Sequence, residues 1–482
     1  MKLGTPLFLL IGMTVVACVR PSPASQAVKD AAFALGGADR LQSVKTMVMN
    51  GEGVQFNLGQ DVVPGASGQT FTVTQYTRTI DAQAGRARTE LTRTPNFAYF
   101  LGPAAQRQIQ GIDGAVGYNV APNGTAARIA EAAANDRRAE WLRHPIVAVR
   151  AALDPSSRLA NFRTESGQSI VDVTTKDGRQ FTLALDSSTK RPIRVTVLAN
   201  NVNLGDVRIS TTFADYQDVG GLQLPTRFTT KTDDFTTAEV RVTKQTIDTN
   251  GGNLAAPPAA VSVAVPVAPA PTVSVSEVSP GIWQLAGGTH RSVLVEFADH
   301  LVLIEAPQND ARALAVIAKA RELRPGKPLT HVVNTHHHFD HSGGIRAAVS
   351  EGLTIVTHQG NAAFLDEVVK RPHTLAPDAL SQHPKALTIE AVAGEKVISD
   401  GTMEMHLYEV PGDHSNTMLM AYFPRERLLV EGDMYEPDEA IHVFAARFLK
   451  EVRTRKLRID RIVPLHSNVV PYGQLLRDAD VP

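Results

Sequence analysis

The sequence predicts two folded parts in one chain: a mostly antiparallel β region with helices (α+β), then an α/β layered domain. Three observations carry that division. Strand-like and helical runs alternate only in the second half. Of the 15 histidines, only His144 precedes residue 290, and the rest fall between His290 and His466. Between the halves, no charged residue occurs from Thr249 to Ser276, and Pro257, Pro258, Pro266, Pro269 and Pro271 stand among Ala and Val. That stretch reads as a semi-extended linker over 251–272 whose Val-rich middle has room for a short edge strand.

Composition fits a soluble globular chain. With 482 residues and roughly 100–200 residues per domain, a sizeable core is available. The 43% hydrophobic and 20% charged fractions exclude a disordered chain or a multi-span membrane protein. Lys plus Arg number 48 against 49 Asp plus Glu, a net charge of −1, so no nucleic-acid partner is expected, and the charge leaves a small-molecule substrate open. One cysteine excludes a disulfide framework, a multi-thiolate zinc site and a Cys-x-x-Cys pair. A metal site in this chain has to be built from His and carboxylates.

Residues 1–27 read as a leader. Met1 to Val19 carry only Lys2 as a charge before a continuous apolar run, and small polar residues follow from Arg20 to Ser25. That order is the one a signal peptide takes, and the run is short for a membrane span. Cys18 after Val15-Val16-Ala17 resembles the lipobox of bacterial lipoproteins, which implies a lipidated Cys18 and membrane attachment. The alternative is cleavage further on, for example after Ala27. Either way the expectation is an exported protein, in the periplasm or anchored to a bacterial envelope membrane.

The region 28–250 alternates polar and β-branched residues in Thr70–Ile80, Ser169–Thr175 and Val207–Phe213, with Asp113-Gly114, Asn123-Gly124 and Asp177-Gly178 as hairpin signals. Helical patterns interrupt it near Ala27–Val44 and over Ala126–Leu153, the latter broken by Pro145. A curved antiparallel sheet carrying helices is expected. On pattern alone it resembles the half-barrel of periplasmic lipoprotein carriers. It contains no catalytic constellation, so a scaffold is the first reading and binding of an apolar ligand the second.

In 273–482, strands are expected at Ser292–Phe297, His300–Glu305, Thr330–Thr335, Thr354–Thr357, Met403–Val410, Met418–Phe423, Arg427–Val430 and Arg461–Leu465. Helices are expected at Ala311–Leu323, Ser342–Ser350 and Asn361–Lys370. Four of these strands lead directly into chemistry. One is followed by Thr335–Gly344 (THHHFDHSGG) with His336, His338, Asp340 and His341. The others lead to Gly412-Asp413-His414, to Gly432-Asp433 and to His466. Sheets of this class place ligand sites at strand carboxyl ends, and imidazole with carboxylate is a zinc-type donor set.

The His-x-His-x-Asp-His loop, the later Gly-Asp-His, the Gly-Asp and the terminal Pro-x-His resemble the metallo-β-lactamase-fold hydrolase superfamily over about residues 273–470. The resemblance implies an αββα sandwich and two Zn2+ ions. His336, His338 and His414 would hold the first ion; Asp340, His341 and His466 would hold the second, with Asp433 bridging. It further implies a metal-bound hydroxide that cleaves an ester, thioester, lactam or related bond, with Asp340 orienting the nucleophile or shuttling its proton. Two other readings stay open at this point: a mononuclear iron sulfur-dioxygenase on the same fold, and a non-catalytic envelope protein with a structural metal.

Two departures from the family pattern are visible. Asp413 is inserted beside His414, and Glu305 stands where the family usually has Asp. Glu305, Asp413 and Thr335 are expected to accept ring N–H groups of ligand histidines. His300, His331, His373, His383, His406 and His442 are expected to be ordinary surface or core residues. His337 is expected to point away from the site, His358 to cap the next helix, and Tyr435 to be a packed aromatic. Specificity is expected from 358–407, which carries Pro372, Pro377 and Pro384 and reads as an insertion over the site.

Overall fold

A computed structural model of the chain describes residues 21–98 and 102–479. Cys18 and the apolar run before it lie outside the described residues. Among the described residues, no helix is long and apolar enough to cross a membrane.

The first helix, Pro23–Ala34, begins inside the segment expected to be leader. Ser22 caps it by accepting the Ser25 N–H at 3.2 Å, Pro23 stands in its first turn, and Ala24 and Val28 are buried in the core. The folded region therefore starts earlier than residue 28. The helical pattern near Ala27–Val44 is two helices, Pro23–Ala34 and Ala38–Ser43, parted by Gly36 and Gly37 at φ 122° and 100°. The pattern over Ala126–Leu153 resolves into a short edge strand, Ala126–Arg128, and the helices Glu131–Leu142 and Pro145–Leu153. Pro145 opens the last of these, where its missing N–H has no intrahelical partner to lose.

These helices pack on an open 13-stranded antiparallel sheet. Its edges are Ala126–Arg128 and Arg158–Glu165, and its first and last strands in sequence, Thr46–Asn57 and Phe235–Ile247, pair in the middle. Among the described residues the sheet packs against the helices and does not close into a barrel. Residues 58–68, between the strands Thr46–Asn57 and Gln69–Asp81, leave this sheet and reach the C-terminal domain.

The linker is partly pinned to the sheet. Pro258–Val261 forms a helical turn in place of an edge strand, and Ala256 and Ala260 are buried beside Tyr118. Ala256 N–H donates to Asp113 at 2.9 Å, and Arg128 donates to the Val263 carbonyl at 2.9 Å. Two consecutive prolines favour a helix start over a ladder, because neither can donate to a neighbouring strand.

The C-terminal domain is an αββα sandwich. One sheet has seven strands beginning at Ser274–Ser279, and the other has six ending at Val470–Pro471. Their facing surfaces bury Val293, Val295, Val302, Ile304, Leu407, Leu419, Phe423 and Val463. The helices Asp310–Leu323, Ile345–Ser350 and Ala362–Lys370 cover one outer face, and Ala445–Thr454 with Tyr472–Asp478 covers the other. At roughly 1.5–3 kcal/mol per buried aliphatic side chain, this core fixes the strand ends from which the site is built. Leu329–Asn334 runs parallel to both Leu301–Ile304 and Thr354–His358, and Leu428–Glu431 runs parallel to Arg461–Pro464. Their carboxyl ends meet at one edge of the sandwich.

Candidate metal centre

The loop after strand Leu329–Asn334 is braced before it presents any ligand. Asn334 donates its side-chain amide to the His336 carbonyl at 2.7 Å, and the Thr335 N–H donates to Glu305 at 2.6 Å. Leu419 N–H donates to the Thr335 carbonyl at 2.7 Å, which ties the second sheet to this loop. Glu305 is fully buried and sits at φ 74°, a left-handed conformation that costs about 1–3 kcal/mol for a residue with a side chain.

The seven residues singled out from sequence come together in two adjoining groups. The ligand-type atoms of His336, His338, His414 and Asp433 all lie within 4.8 Å of one another, and so do those of Asp340, His341, His466 and a further residue, His290. Asp433 stands between them. One of its oxygens is 3.0 Å from His414 Nε2 and 3.7 Å from His336 Nε2; the other is 3.0 Å from His341 Nε2 and 3.2 Å from His466 Nε2.

Four of the imidazoles are anchored on their outer nitrogen. His338 donates Nε2–H to the Asp61 carbonyl at 2.8 Å, which leaves its buried Nδ1 as a lone pair with no hydrogen-bond partner. His336 Nδ1 is 3.1 Å from the Thr335 hydroxyl, and its buried Nε2 likewise makes no hydrogen bond. His466 donates Nδ1–H to the Thr289 carbonyl at 3.1 Å, and His341 Nδ1 faces Glu305 at 3.4 Å. The inner nitrogens therefore converge on two adjoining spots, with Asp433 between them and Asp340 beside the second. Buried lone pairs without donors are costly, and a divalent cation is the group that satisfies imidazole and carboxylate together. The donor set fits a metal.

Electrostatics agrees. Burial, reinforced by neighbouring imidazoles, holds His336 and His338 well below the usual histidine range, so both are neutral as ligation requires. Burial acts on Asp433 in the opposite direction, but His341, His466 and His414 outweigh it and keep the carboxylate ionised. Burial also lowers His341 and His466, yet the Asp433 carboxylate prevails and holds both above their ordinary value. The cluster attracts positive charge.

The remaining expectations divide. Glu305 and Thr335 do face histidines of the cluster, whereas Asp413 is exposed and belongs to neither group. The reason is local: Gly412 N–H bonds the Ser415 carbonyl in a tight turn that buries His414 and leaves the adjacent acid outside. His337 points to Thr417 at 3.2 Å, away from both groups. His358 accepts from Gly360 N–H at the next helical turn, and buried Tyr435 donates to Asp478 at 2.5 Å. His331, His373 and His406 pair with Glu390, Asp378 and two glutamates in turn, outside the site.

Three contributors escaped the sequence reading. His290 Nε2 is 3.2 Å from Asp340, and its Nδ1 accepts from the Gln308 amide at 2.9 Å, which fixes Nε2–H as the donor to the carboxylate. Glu431 accepts the Met434 and Tyr435 N–H groups at 2.9 and 3.2 Å and so shapes the turn that carries Asp433. Gln60, from the N-terminal region, donates to the other oxygen of Asp340 at 2.9 Å. The only sequence signal for His290 is its place at the head of an apolar strand after Gly287-Gly288; Gln60 carries none.

A cavity of about 210 Å³ opens on the cluster, lined by Asp340, His414, Asp433 and His466 on its floor and by Phe97, Met434 and Phe444 among its apolar walls. Residues 358–407 contribute nothing to this lining, contrary to the expectation of an insertion over the site. That segment is drawn to the N-terminal region instead: Arg371 donates to the Leu204 carbonyl and pairs with Asp233, and Asp206 accepts the Thr374 and Leu375 N–H groups. A larger cavity of about 930 Å³ lies wholly in the N-terminal region, away from the cluster.

The C-terminal domain is thus an αββα sandwich with a His/Asp cluster at its strand ends. Residues 285–466 match the model of the metallo-beta-lactamase superfamily, and the C-terminal domain belongs to it. Among solved structures, the chain is similar to a metallo-beta-lactamase from Pontibacter korlensis, at 15% identity over 44% of this chain and 98% of that one, TM-score 0.35. It is also similar to the DIM-1 metallo-beta-lactamase (16% identity, 44% and 97% covered, TM-score 0.36) and to a metallo-beta-lactamase from Erythrobacter litoralis (17%, 43% and 95%, TM-score 0.34).

Proposed function

We propose that this protein is a hydrolase that holds two zinc ions and cleaves an uncharged ester, thioester or lactam bond. The observation that carries the reading is the outward anchoring of His338, His466 and His341, which aims their inner nitrogens at Asp433 and Asp340. His336, His338 and His414 would hold one ion, Asp340, His341 and His466 the other, with Asp433 shared. When bound, such ions supply Lewis acidity and make a nucleophile of water at neutral pH.

The protein's own groups do the rest. Asp340, held by His290 on one oxygen and Gln60 on the other, is fixed in position to take a proton at its carboxylate and return it to a leaving group. Phe97, Met434, Val443 and Phe444 exclude water around the acyl portion. Among the described residues the cavity lining has no Lys or Arg and carries Glu436 and Glu439, so it favours an uncharged acyl group over a sulfate or phosphate. The leader and Cys18 support an exported enzyme, free in the periplasm or attached through Cys18.

The test is a panel of chromogenic lactam, ester, thioester, sulfate and phosphodiester substrates, run with and without chelation. Chelator-sensitive turnover of a neutral acyl substrate is the expected result. Turnover confined to sulfate or phosphate esters, or persulfide oxidation by an iron-loaded protein, would overturn the reading.

A further inference from the structure

We infer that the segment 58–63 of the N-terminal region is a working part of the metal centre, with Gln60 positioning the Asp340 carboxylate and the Asp61 carbonyl fixing the ring of His338. This rests on the metal-site reading above and extends it: the centre is completed by a second structural unit far away in sequence.

Four consecutive residues of the segment bond two of the loops that carry the cluster. The Gly59 carbonyl accepts Phe339 N–H at 3.2 Å, Gln60 donates to Asp340 at 2.9 Å, the Asp61 carbonyl accepts His338 Nε2–H at 2.8 Å, and the Val62 carbonyl accepts Asn416 N–H at 2.7 Å. The first three reach the His336–His341 loop and the last reaches the loop of His414. The approach is close enough to demand glycine: Gly59 has φ 84°, and a Cβ there would lie 2.3 Å from the Phe339 ring. Asp61 is buried with one carboxylate oxygen unpartnered, so the backbone is held inside the domain junction and not laid over its surface. Leu58 and Phe339 join Val207 and Val368 in an apolar cluster that spans the junction.

The chemical consequence follows from the tautomer. A backbone carbonyl only accepts, so His338 must carry its proton on Nε2 and present Nδ1 inward. On Asp340 the donors come from opposite sides, His290 from the C-terminal domain and Gln60 from the N-terminal region, so the carboxylate cannot swing without breaking one of them. Gln60 is thus a positioning residue that acts through Asp340.

The test uses the full chain and Gln60→Met, which keeps side-chain length and removes the N–H donor. Zinc affinity is measured by chelator competition, and the cobalt-substituted protein is followed by its visible absorption. The expected result is an unchanged melting temperature of the metal-free protein, an altered cobalt spectrum, and about 10–100-fold weaker binding of one ion, the usual cost of losing an outer partner of a ligand. Gly59→Val, which drives the segment off Phe339, should weaken both ions. Identical zinc affinity and cobalt spectrum in wild type and Gln60→Met would overturn the inference while leaving the hydrolase reading standing. A wild-type chain that binds no divalent ion would overturn the hydrolase reading itself.

Discussion

His341 and His466 bring their Nε2 atoms to 3.0 Å of each other, while their Nδ1 atoms face Glu305 and the Thr289 carbonyl. Two imidazole nitrogens bound to one tetrahedral ion at about 2.0–2.1 Å would be about 3.3 Å apart, so the spacing is close to what a shared cation needs. The carboxylates of Asp340 and Asp433 border the same point.

His338→Ala removes a lone pair that the Asp61 carbonyl holds in place. Loss of at least one bound ion is expected. Activity should fall about a thousandfold or more, because several kcal/mol of charge stabilisation goes with the ion. The N-terminal sheet should persist, since its core of Leu35, Ile80 and Leu183 lies elsewhere. Metal analysis and far-ultraviolet circular dichroism on one preparation check both halves.

Glu305→Gln tests the support beneath His341. The amide puts an NH2 group in place of either the oxygen that accepts Thr335 N–H or the one that faces His341 Nδ1, in a fully buried position. Breaking one of these contacts should cost about 1–3 kcal/mol of stability. Affinity for the ion nearest His341 should drop about 10–100-fold. Thermal melting and chelator competition separate the two effects, and a variant with wild-type values in both would remove Glu305 from the account.

His290→Leu should leave the fold intact and impair the site through Asp340. Its Nε2–H is the partner of Asp340 inside the C-terminal domain, and Gln308 fixes that tautomer. A fall in kcat with little change in KM is expected, since orientation of the carboxylate is lost and the cavity wall is not. A rise in KM alone would mean that His290 contacts substrate.

The N-terminal region has its own pH response. His144 is buried against Phe228 with no hydrogen bond at either ring nitrogen, and burial, reinforced by Arg78, lowers its pKa to about 3. The folded state keeps it neutral while the unfolded chain protonates it near its ordinary value. Stability from this group is therefore complete above about pH 6.5 and is lost as pH falls, by roughly 1.4 kcal/mol per unit down towards the folded value. Denaturant unfolding at pH 7 and pH 4.5 should differ by about 3 kcal/mol more in wild type than in His144→Phe.

Much of the candidate site is legible in sequence because each of its clustered residues follows an apolar strand. His336, His414, Asp433 and His466 sit within a few residues of a strand end, so one sheet edge gathers them. Contacts made across the molecule leave no such trace. Gln60 is separated from Asp340 by 280 residues, and nothing in its neighbours distinguishes it from a turn amide. The prolines of 358–407 report an irregular segment but not the surface it packs on, which Asp206 and Arg371 decide. Asp413 misleads for a similar reason: adjacency to a ligand says nothing about which way a side chain faces.

Metal stoichiometry of the full-length chain after equilibrium dialysis against zinc tests the central claim most directly. The account predicts two tightly held ions per chain in wild type and a loss in His338→Ala. A wild-type chain that retains no zinc above background, or His338→Ala with undiminished zinc content, would contradict it.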